Sequence, residues 1–342
     1  MSWDGPSASP SSLLLTRHFR CSPGHRADMS RVLLSAVFAF AVLAGPPLDA
    51  QDRPFRSTAS IVALNVTVQD AQARYIKGLQ SSDFAVYEDG VRQDVRFFYA
   101  TALPLDLALL LDTSRSMRQT MPIAEEAARG LLSSLAAGDR AAVLGFAERV
   151  TVVQDMTDDR AALAAAAPMR TYASGYTALR NAVYTALGLF ESRAAGGAPR
   201  RQAIVVLSDG IDTSSVVGFD DVLARARQAA VSVYTVRLRA PGEQFSRAAQ
   251  FFPERFSESD YEMKTLAQET GALSFFPQAA DLPRVYGAIA EELAMQYAVG
   301  YQPADAARAG FRRVSVQIIG RSDLRARTRT GYTPSAGGRS RR

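Results

Sequence analysis

The sequence predicts a doubly wound α/β domain, with a mostly parallel sheet and helices on both faces, plus a small all-β module formed by the two flanking segments. Between residues 105 and 276 short apolar runs alternate with amphipathic stretches of helical length, which is the element order of an α/β fold. The run Leu-Ala-Leu-Leu-Leu at residues 107–111 is apolar on both faces, as a parallel strand covered by helices on both sides requires. Outside this region the chain has the alternation of strands.

The first 50 residues contain a candidate export signal. Arg31 precedes an uncharged apolar run at residues 32–43, and a Gly-Pro-Pro segment ends that run before a small residue, Ala50. This is the arrangement of a secretory signal peptide. The run is shorter than the roughly 20 residues that span a bilayer, so an uncleaved anchor is the alternative. We expect a signal at residues 29–50, an upstream extension at residues 1–28, and a mature bacterial protein that is periplasmic or secreted.

The segment at residues 58–100 is predicted to be the N-terminal part of the β module. Strands are expected at residues 61–69, 84–88 and 91–99, because β-branched and aromatic residues alternate there. Asp89-Gly90 lies between the second and third of these strands and is a strong signal for a two-residue hairpin turn.

The central region, residues 101–296, is predicted to contain the α/β domain. Strands are expected at residues 105–111, 141–146, 150–154, 203–207, 232–238 and 272–276. Helices are expected at residues 122–136, 160–165, 178–192, 219–229, 263–269 and 282–296.

The segment at residues 297–334 is predicted to be the C-terminal part of the β module. Strands are expected at residues 297–301, 312–319 and 325–332. Lone hairpins are marginally stable in water, so we expect these strands to join residues 58–100 in one module with the α/β domain inserted between the two halves. Two separate appendages are the alternative. Residues 335–342 are predicted to be a disordered basic tail.

Composition excludes several classes of active site. Cys21, His18 and His25 all precede Met29, so a protein that has lost its signal has neither cysteine nor histidine. It cannot use a Ser-His-Asp or Cys-His mechanism, nor build a zinc site from His and Cys. The formal net charge is +5, but residues 1–50 and the tail account for most of it. The near-neutral remainder gives no indication of nucleic-acid binding.

Three loops next to the predicted strands carry hydroxyl and carboxylate side chains. Asp112 follows the first α/β strand and begins an Asp-x-Ser-x-Ser segment with Ser114 and Ser116. Thr177 precedes a helix, and Asp209 follows another strand. Since the carboxyl ends of parallel strands lie at one edge of a sheet, we expect the five side chains to meet. Hard oxygen donors are the ligands of Mg²⁺ or Mn²⁺, so a site for one divalent ion is predicted.

Each of these residues also has an ordinary structural interpretation. Asp112, Ser114 or Thr177 could cap the helix that follows it, and Asp209-Gly210 is a common turn dipeptide. The occurrence of three such loops together favours the metal site over three unrelated caps and turns.

The pattern resembles the metal-ion-dependent adhesion site of the von Willebrand factor A domain family. The motifs are Asp-x-Ser-x-Ser after an apolar strand, Gly-x-Thr-Ala-Leu before a helix, and Ser-Asp-Gly after a second apolar strand. All five motif positions are filled, and the resemblance covers residues 101–296. The flanks resemble a bacterial subgroup of secreted von Willebrand factor A-related proteins. The motifs there are Gly-Leu-x-x-x-Asp-Phe-x-x-x-Glu-Asp-Gly at residues 78–90, Tyr-x-x-Gly-Tyr at residues 297–301 and Arg-x-Gly-Tyr at residues 329–332.

The resemblance implies a role for each motif residue. Ser114, Ser116 and Thr177 would coordinate the metal through their hydroxyls, while Asp112 and Asp209 would supply charge directly or through water. The Asp or Glu carboxylate of a protein ligand would complete the coordination shell. In some members of the family the site changes between closed and open forms together with the last helix, which here is the predicted helix at residues 282–296.

Four further residues are predicted to form a rim that contacts the partner. Arg115 lies between two motif positions, and Tyr176 precedes Thr177. Phe251 and Phe252 belong to an insertion at residues 240–261 that follows a predicted strand. The alternatives are that Arg115 is an ordinary solvated side chain and that the insertion folds on its own aromatic residues.

The sequence therefore predicts an exported, non-enzymatic, adhesion-type module that uses Mg²⁺ or Mn²⁺ to coordinate an acidic residue of a protein partner. Neither nucleic-acid binding nor a membrane span in the mature chain is expected. One alternative is a structural or assembly factor whose metal stabilises the fold. A less favoured one is a phosphoryl-transfer enzyme with Asp112 as nucleophile, although Ser114 stands where such phosphatases usually have a second Asp.

Overall fold

The computed structural model describes residues 61–100, 103–167, 175–191, 199–209, 212–239, 257–305 and 308–334, all within the unit Ser57–Arg342. Its strands are β1 (Val62–Gln69), β2 (Phe84–Glu88), β3 (Val91–Gln93), β4 (Val95–Tyr99), β5 (Leu105–Asp112), β6 (Arg140–Phe146), β7 (Val150–Thr157), β8 (Arg201–Ser208), β9 (Val231–Arg237), β10 (Ser274–Phe275), β11 (Tyr297–Tyr301), β12 (Arg312–Ile318), β13 (Arg325–Arg327) and β14 (Gly331–Tyr332). Its α-helices are α1 (Met121–Ser133), α2 (Arg160–Ala166), α3 (Leu179–Glu191), α4 (Phe219–Gln228), α5 (Glu258–Glu269) and α6 (Leu282–Ala294).

A six-stranded sheet lies at the centre, with the strand order β10-β9-β8-β5-β6-β7. Neighbouring strands are parallel except β6 and β7, which run antiparallel. All eight residues of β5 are buried, as expected for a strand in the middle of a sheet that helices cover on both faces. The predicted mostly parallel α/β sheet is therefore confirmed.

The two faces of β5 contribute to two different cores. Leu107, Leu109 and Leu111 pack in a core with the apolar faces of α1, α2 and α6. Ala108 and Leu110 pack in a second core with α3, α4 and α5. Because successive side chains of a strand point to opposite faces, one apolar run supplies both cores. This is the doubly wound arrangement that the sequence predicts.

The predicted start of helix α5 at Met263 is wrong, because the helix begins five residues earlier, at Glu258. The side chain of Ser257 accepts a hydrogen bond from the backbone of Asp260 at 3.1 Å, and the Asp260 carboxylate accepts one from the backbone of Ser257 at 3.3 Å. Such a capping box starts a helix upstream of its first apolar residue. Apolar periodicity alone therefore predicts a start for α5 that is too late in the sequence.

The flanking segments form two four-stranded antiparallel sheets, with the orders β13-β1-β11-β4 and β14-β12-β2-β3. Each sheet combines strands from before and after the α/β region, and the two share one apolar core. The predicted all-β module formed by both flanks is confirmed. Its first hairpin turns at Asp89 and Gly90, whose φ angles of 49° and 83° are those of a two-residue turn with left-handed central residues.

Two segments predicted as single strands each divide between the two sheets. Residues 91–99 form β3, which pairs with β2, and β4, which pairs with β11. Residues 325–332 form β13, which pairs with β1, and β14, which pairs with β12. In both cases the chain leaves one sheet and enters the other, and local alternation of residue types carries no signal for such a crossing.

A buried polar cluster connects the flanking motifs inside the β module. The hydroxyls of Tyr301 and Tyr332 donate to Glu88 Oε2 at 2.7 and 2.9 Å, and Arg312 Nη1 donates to Glu88 Oε1 at 3.1 Å. Glu88 and Arg312 are both buried. The Glu-Asp-Gly, Tyr-x-x-Gly-Tyr and Arg-x-Gly-Tyr motifs therefore meet at one carboxylate.

Two predicted features of the chain termini lie outside the described residues. These are the export signal at residues 29–50 with its upstream extension, and the basic tail at residues 335–342. Across the described residues, no helix combines the length and the apolarity that a membrane span requires.

Gly271, which follows α5, has a backbone and surroundings that only glycine fits. Its φ is +76°, and an added Cβ would lie 2.4 Å from the backbone nitrogen of Arg329. We expect Gly271→Ala to destabilise the protein by about 2–4 kcal/mol, from left-handed strain together with a clash against backbone. Urea unfolding would measure the change in the free energy of unfolding.

The matched control is Gly130→Ala in α1, where a Cβ meets nothing within 4 Å and φ is not positive. There alanine should stabilise the helix by about 0.5–1 kcal/mol. Equal effects of the two substitutions would contradict the geometric account of Gly271.

Candidate functional site

Asp112 lies at the carboxyl end of β5 and is fully buried. Its Oδ1 accepts a hydrogen bond from the backbone N–H of Ser114 at 2.8 Å, and its Oδ2 accepts one from the hydroxyl of Ser208 at 2.6 Å. Ser208 ends β8, the neighbour of β5. The carboxylate therefore joins the loop after β5 to the end of β8, immediately before Asp209.

Burial raises the pKa of the Asp112 carboxyl from 3.8 to about 6. The hydrogen bonds from Ser208 and Ser114 act in the opposite direction, while the nearby charge of Asp209 raises the pKa further. Two carboxylates thus lie close enough to repel one another. A bound cation would relieve that repulsion and would favour the ionised form of Asp112.

The hydroxyls of Ser114 and Ser116 point toward one another, with their Oγ atoms 3.0 Å apart. Ser114 is buried and Ser116 is exposed, so the pair lies at the boundary between the core and the solvent. Ser114 precedes a short 3-10 helix, Arg115–Gln119, but its side chain makes no capping hydrogen bond. Capping of that helix therefore does not explain Ser114.

Thr177 is held beside the same loop through the end of β6. The backbone N–H and the hydroxyl of Thr113 donate to the carbonyl of Phe146 at 2.7 and 3.0 Å. The N–H of Ala178, which follows Thr177, donates to the next carbonyl, that of Ala147, at 2.7 Å. Two consecutive carbonyls thus anchor both loops, and Thr177 is buried next to them.

A third loop, at residues 212–217, forms hydrogen bonds with Thr177 and with the start of α3. The Thr177 N–H donates to Thr213 Oγ1 at 2.8 Å, and the Thr177 carbonyl accepts from the N–H groups of Thr213 and Ser214. Asp212 Oδ2 accepts from the N–H of Arg180 at 2.8 Å and from the hydroxyl of Ser215 at 2.6 Å. Asp212 thus satisfies an N–H at the α3 N-terminus, so that end of α3 has less capacity to attract an incoming carboxylate.

Sequence reasoning did not assign the roles of Ser208, Asp212 and Ser214. Ser208 lies within the recognised Ser-Asp-Gly motif, and it positions Asp112 through a hydrogen bond. Asp212 fixes the loop beside Thr177 through hydrogen bonds from the backbone N–H groups of Arg180 and Ser215. The Ser214 hydroxyl is buried without a hydrogen-bond partner among the described residues. No local pattern distinguishes it.

Of the four residues predicted to form the rim, the structure describes two. Arg115 is exposed, and Tyr176 has 58% of its surface exposed beside Thr177. Phe251 and Phe252 lie outside the described residues. Asp106, which is close to Asp112 in sequence, lies at the opposite end of β5 and forms ion pairs with Arg140 and Arg200. It therefore belongs to a different edge of the sheet.

The residues at this edge suit a small, hard cation. Adjacent ligands in the octahedral shell of Mg²⁺ lie about 2.9 Å apart when each is about 2.1 Å from the metal, and the Ser114 and Ser116 hydroxyls have that separation. The described residues contain no group of three or more His, Cys, Asp or Glu side chains arranged to hold a metal. The predicted set combines two of these carboxylates with three hydroxyls.

The family model for the von Willebrand factor type A domain matches residues 106–281. The chain belongs to this family. The Asp-x-Ser-x-Ser loop, Thr177 and Asp209 all lie within the matched region. Proteins with von Willebrand factor type A domains are generally non-enzymatic adhesion or assembly modules.

Solved structures with similar folds include other von Willebrand factor type A domains. A von Willebrand factor type A protein from Catenulispora acidiphila is 12% identical, with 83% of this chain and 76% of that chain covered and a TM-score of 0.45. An aerotolerance-related membrane protein from Bacteroides fragilis is 17% identical, with 55% and 98% covered and a TM-score of 0.42. Proximal thread matrix protein 1 from the mussel byssus, with zinc in its MIDAS motif, is 14% identical, with 59% and 48% covered and a TM-score of 0.45.

The family assignment rests on the match of the family model to residues 106–281. No curated protein matches the chain.

Proposed function

We propose that this protein is an exported, adhesion-type module whose von Willebrand factor type A domain binds one Mg²⁺ or Mn²⁺ ion and, through it, an acidic residue of a protein partner. The observation that carries this proposal is the pair of hydroxyls of Ser114 and Ser116, 3.0 Å apart beside the buried carboxylate of Asp112. Thr177 and Asp209 are the remaining proposed ligands.

The choice of metal is argued from the donor atoms. Three hydroxyls and two carboxylates are hard oxygen donors, which favour Mg²⁺ and Mn²⁺ over softer metals. Both oxygens of Asp112 already accept a hydrogen bond, an arrangement that suits contact with the metal through water. Mg²⁺ commonly retains several waters, and a partner carboxylate could replace one of them.

The proposed organisation follows from the same assignment. We place the adhesion domain at residues 101–296, the two halves of the β module at residues 58–100 and 297–334, and the export signal at residues 29–50. Arg115 and Tyr176, both exposed, are the rim residues proposed to contact the partner, together with Phe251 and Phe252.

A non-enzymatic role is supported by the burial of Asp112. A nucleophile for phosphoryl transfer must reach its substrate, whereas Asp112 is 0% exposed and is hydrogen-bonded through both oxygens. A structural role for the metal is the second candidate, because binding to the native state also stabilises the fold.

A pull-down tests the proposal. The immobilised chain is incubated with the exported proteins of its source organism, and the proteins that it retains are identified. With the wild type and with Ser133→Ala, an exposed hydroxyl in α1, we expect retention in Mg²⁺ and release by EDTA. Ser116→Ala, which removes an exposed hydroxyl of the site, should retain nothing. Changing the partner's contact residue from Asp or Glu to its amide should also abolish binding. Retention that is insensitive to EDTA and to Ser116→Ala would refute the proposal.

Metal affinity is expected to depend on pH through Asp112. Protons compete with the metal once the pH falls below the pKa of about 6, so affinity should fall by up to about tenfold per pH unit below that value. Above it, affinity should be nearly constant. Titrations of Mg²⁺ at a series of pH values would measure this profile, and an affinity that rises on acidification would contradict it.

A further inference from the structure

A groove of about 1020 Å³ is lined by residues of both the α/β domain and the β module, and none of the five metal-site motif residues is among them. Residues of α4, α5 and β10 line one side, and residues of β12 and β13 line the other. Six cationic side chains line it: Arg227, Lys264, Arg313, Arg325, Arg327 and Arg329. Glu269 is the one acidic residue in this lining. Outside residues 1–50 and the tail the chain is close to neutral, so positive charge is concentrated in this groove.

Some of these cations are already engaged within the fold. Arg227 pairs with Glu269 at 3.0 Å, and Arg327 pairs with the buried Glu292 of α6 at 2.7 Å. Arg313 and Arg325 differ, because they are exposed and their side chains form no ion pair within the part of the chain that the structure describes. Two charges without an ion pair among the described residues thus line the same groove, where they can pair with an anionic ligand.

The groove also presents the backbone edges of two sheets. Among the described strands, β10 is the edge strand of the central sheet and β13 is the edge strand of one module sheet. Residues of both strands line the groove. Edge strands have backbone N–H and C=O groups that can pair with an added strand. A polypeptide offers the complementary groups, whereas a lipid or a phosphate polymer does not.

We propose that this groove binds an extended, acidic segment of a protein. Carboxylates of the segment would pair with Arg313 and Arg325, and its backbone would pair with an edge strand. Apolar side chains between the carboxylates would contact Leu273, Phe276 and Phe311, which also line the groove. This site is separate from the metal site and needs no metal.

The test uses the full chain in EDTA and a fluorescein-labelled octapeptide of alternating Glu and Val. Fluorescence anisotropy should show saturable binding that weakens with salt, with no binding of the corresponding Lys–Val peptide. The double variant Arg313→Glu/Arg325→Glu should bind at least about tenfold more weakly, as expected from the loss of two charge-assisted contacts. The control Arg92→Glu/Arg96→Glu changes the net charge equally at exposed positions of β3 and β4, and it should stay within about twofold of the wild type.

Three results would overturn the proposal. Equal loss of affinity in both double variants would mean general charge attraction rather than a site. Equal binding of a Glu–Pro peptide, which lacks alternate backbone N–H donors, would exclude pairing with an edge strand. Stronger competition by polyphosphate or oligothymidylate than by the unlabelled peptide would assign the groove to another polyanion.

Two controls keep the test independent of folding and of the metal site. If the charge-reversed variant unfolds, Arg313→Gln/Arg325→Gln takes its place with the same expected loss. Asp112→Asn should bind the peptide as the wild type does, so failure of the adhesion proposal and failure of the groove proposal remain distinguishable.

Discussion

Replacement of Asp112 by asparagine is expected to abolish Mg²⁺ binding and also to raise the stability of the metal-free protein by about 1–3 kcal/mol at neutral pH. The two effects share one cause, which is a buried carboxylate whose charge is useful only with a cation nearby. Asparagine keeps the shape of the side chain. Its Oδ1 can still accept from the Ser114 N–H, and its amide can donate to the Ser208 hydroxyl.

The sign of the stability change follows from linkage. The Asp112 carboxyl has a pKa of about 6 in the folded protein, against 3.8 ordinarily, so the folded state holds the proton more tightly. The contribution of this group to stability is therefore fully present below pH 3.8 and is lost as the pH rises through 6. At neutral pH the ionised group costs the metal-free fold up to about 3 kcal/mol, and asparagine does not incur that cost.

Urea unfolding of both proteins, with and without Mg²⁺, would measure these effects. Without metal the variant should be the more stable protein at neutral pH, and the difference should disappear below pH 3.8. Saturating Mg²⁺ should stabilise the wild type alone. A metal-free variant that is less stable than the wild type at neutral pH, or one that Mg²⁺ still stabilises, would contradict this account.

The second large effect is expected in the β module, where Glu88→Ala should destabilise the protein by about 3–5 kcal/mol. Glu88 is the acceptor for the hydroxyls of Tyr301 and Tyr332 and for the guanidinium of Arg312. Arg312 is only 1% exposed, so removal of the carboxylate leaves a buried cation without its counter-charge. Two buried hydroxyls lose their acceptor at the same time.

The control for Glu88→Ala is Asp323→Ala, which breaks the exposed pair between Arg321 and Asp323 at 2.9 Å. Solvent screens that pair, so the midpoint of urea unfolding should be unchanged. Glu88→Gln keeps one acceptor oxygen and should fall between the wild type and Glu88→Ala. If Glu88→Ala and Asp323→Ala have the same effect, the cluster does not stabilise the module as proposed.

The sequence was sufficient for the α/β fold, and it led to the expectation of a site at one edge of the central sheet. The run at residues 107–111 is apolar on both faces, and it supplies two cores through Leu109 and Leu110. Because parallel strands end at a common edge, the loops of Asp112, Thr177 and Asp209 could be assigned to one place. Those inferences need only periodicity and the geometry of a parallel sheet.

What the sequence did not reveal depends on long-range contacts. The motifs that contain Glu88, Tyr301 and Tyr332 were recognised as a resemblance to the family. Their shared hydrogen-bond cluster has no local signal, because Tyr301 and Tyr332 lie 213 and 244 positions after Glu88 in the sequence. The same is true of Asp212, whose role follows from contacts with Arg180 and Ser215. Likewise, residues 91–99 look like one strand, because alternation does not show where a chain changes sheets.

The central claim, that the residues around Asp112 form a divalent metal site, is tested most directly by calorimetric titration of the full chain with Mg²⁺ and Mn²⁺, alongside Asp112→Ala and Ser133→Ala. We predict saturable binding of one ion to the wild type and to Ser133→Ala, and no binding to Asp112→Ala. Absence of binding to a folded wild-type protein, or equal binding to Asp112→Ala, would contradict the claim.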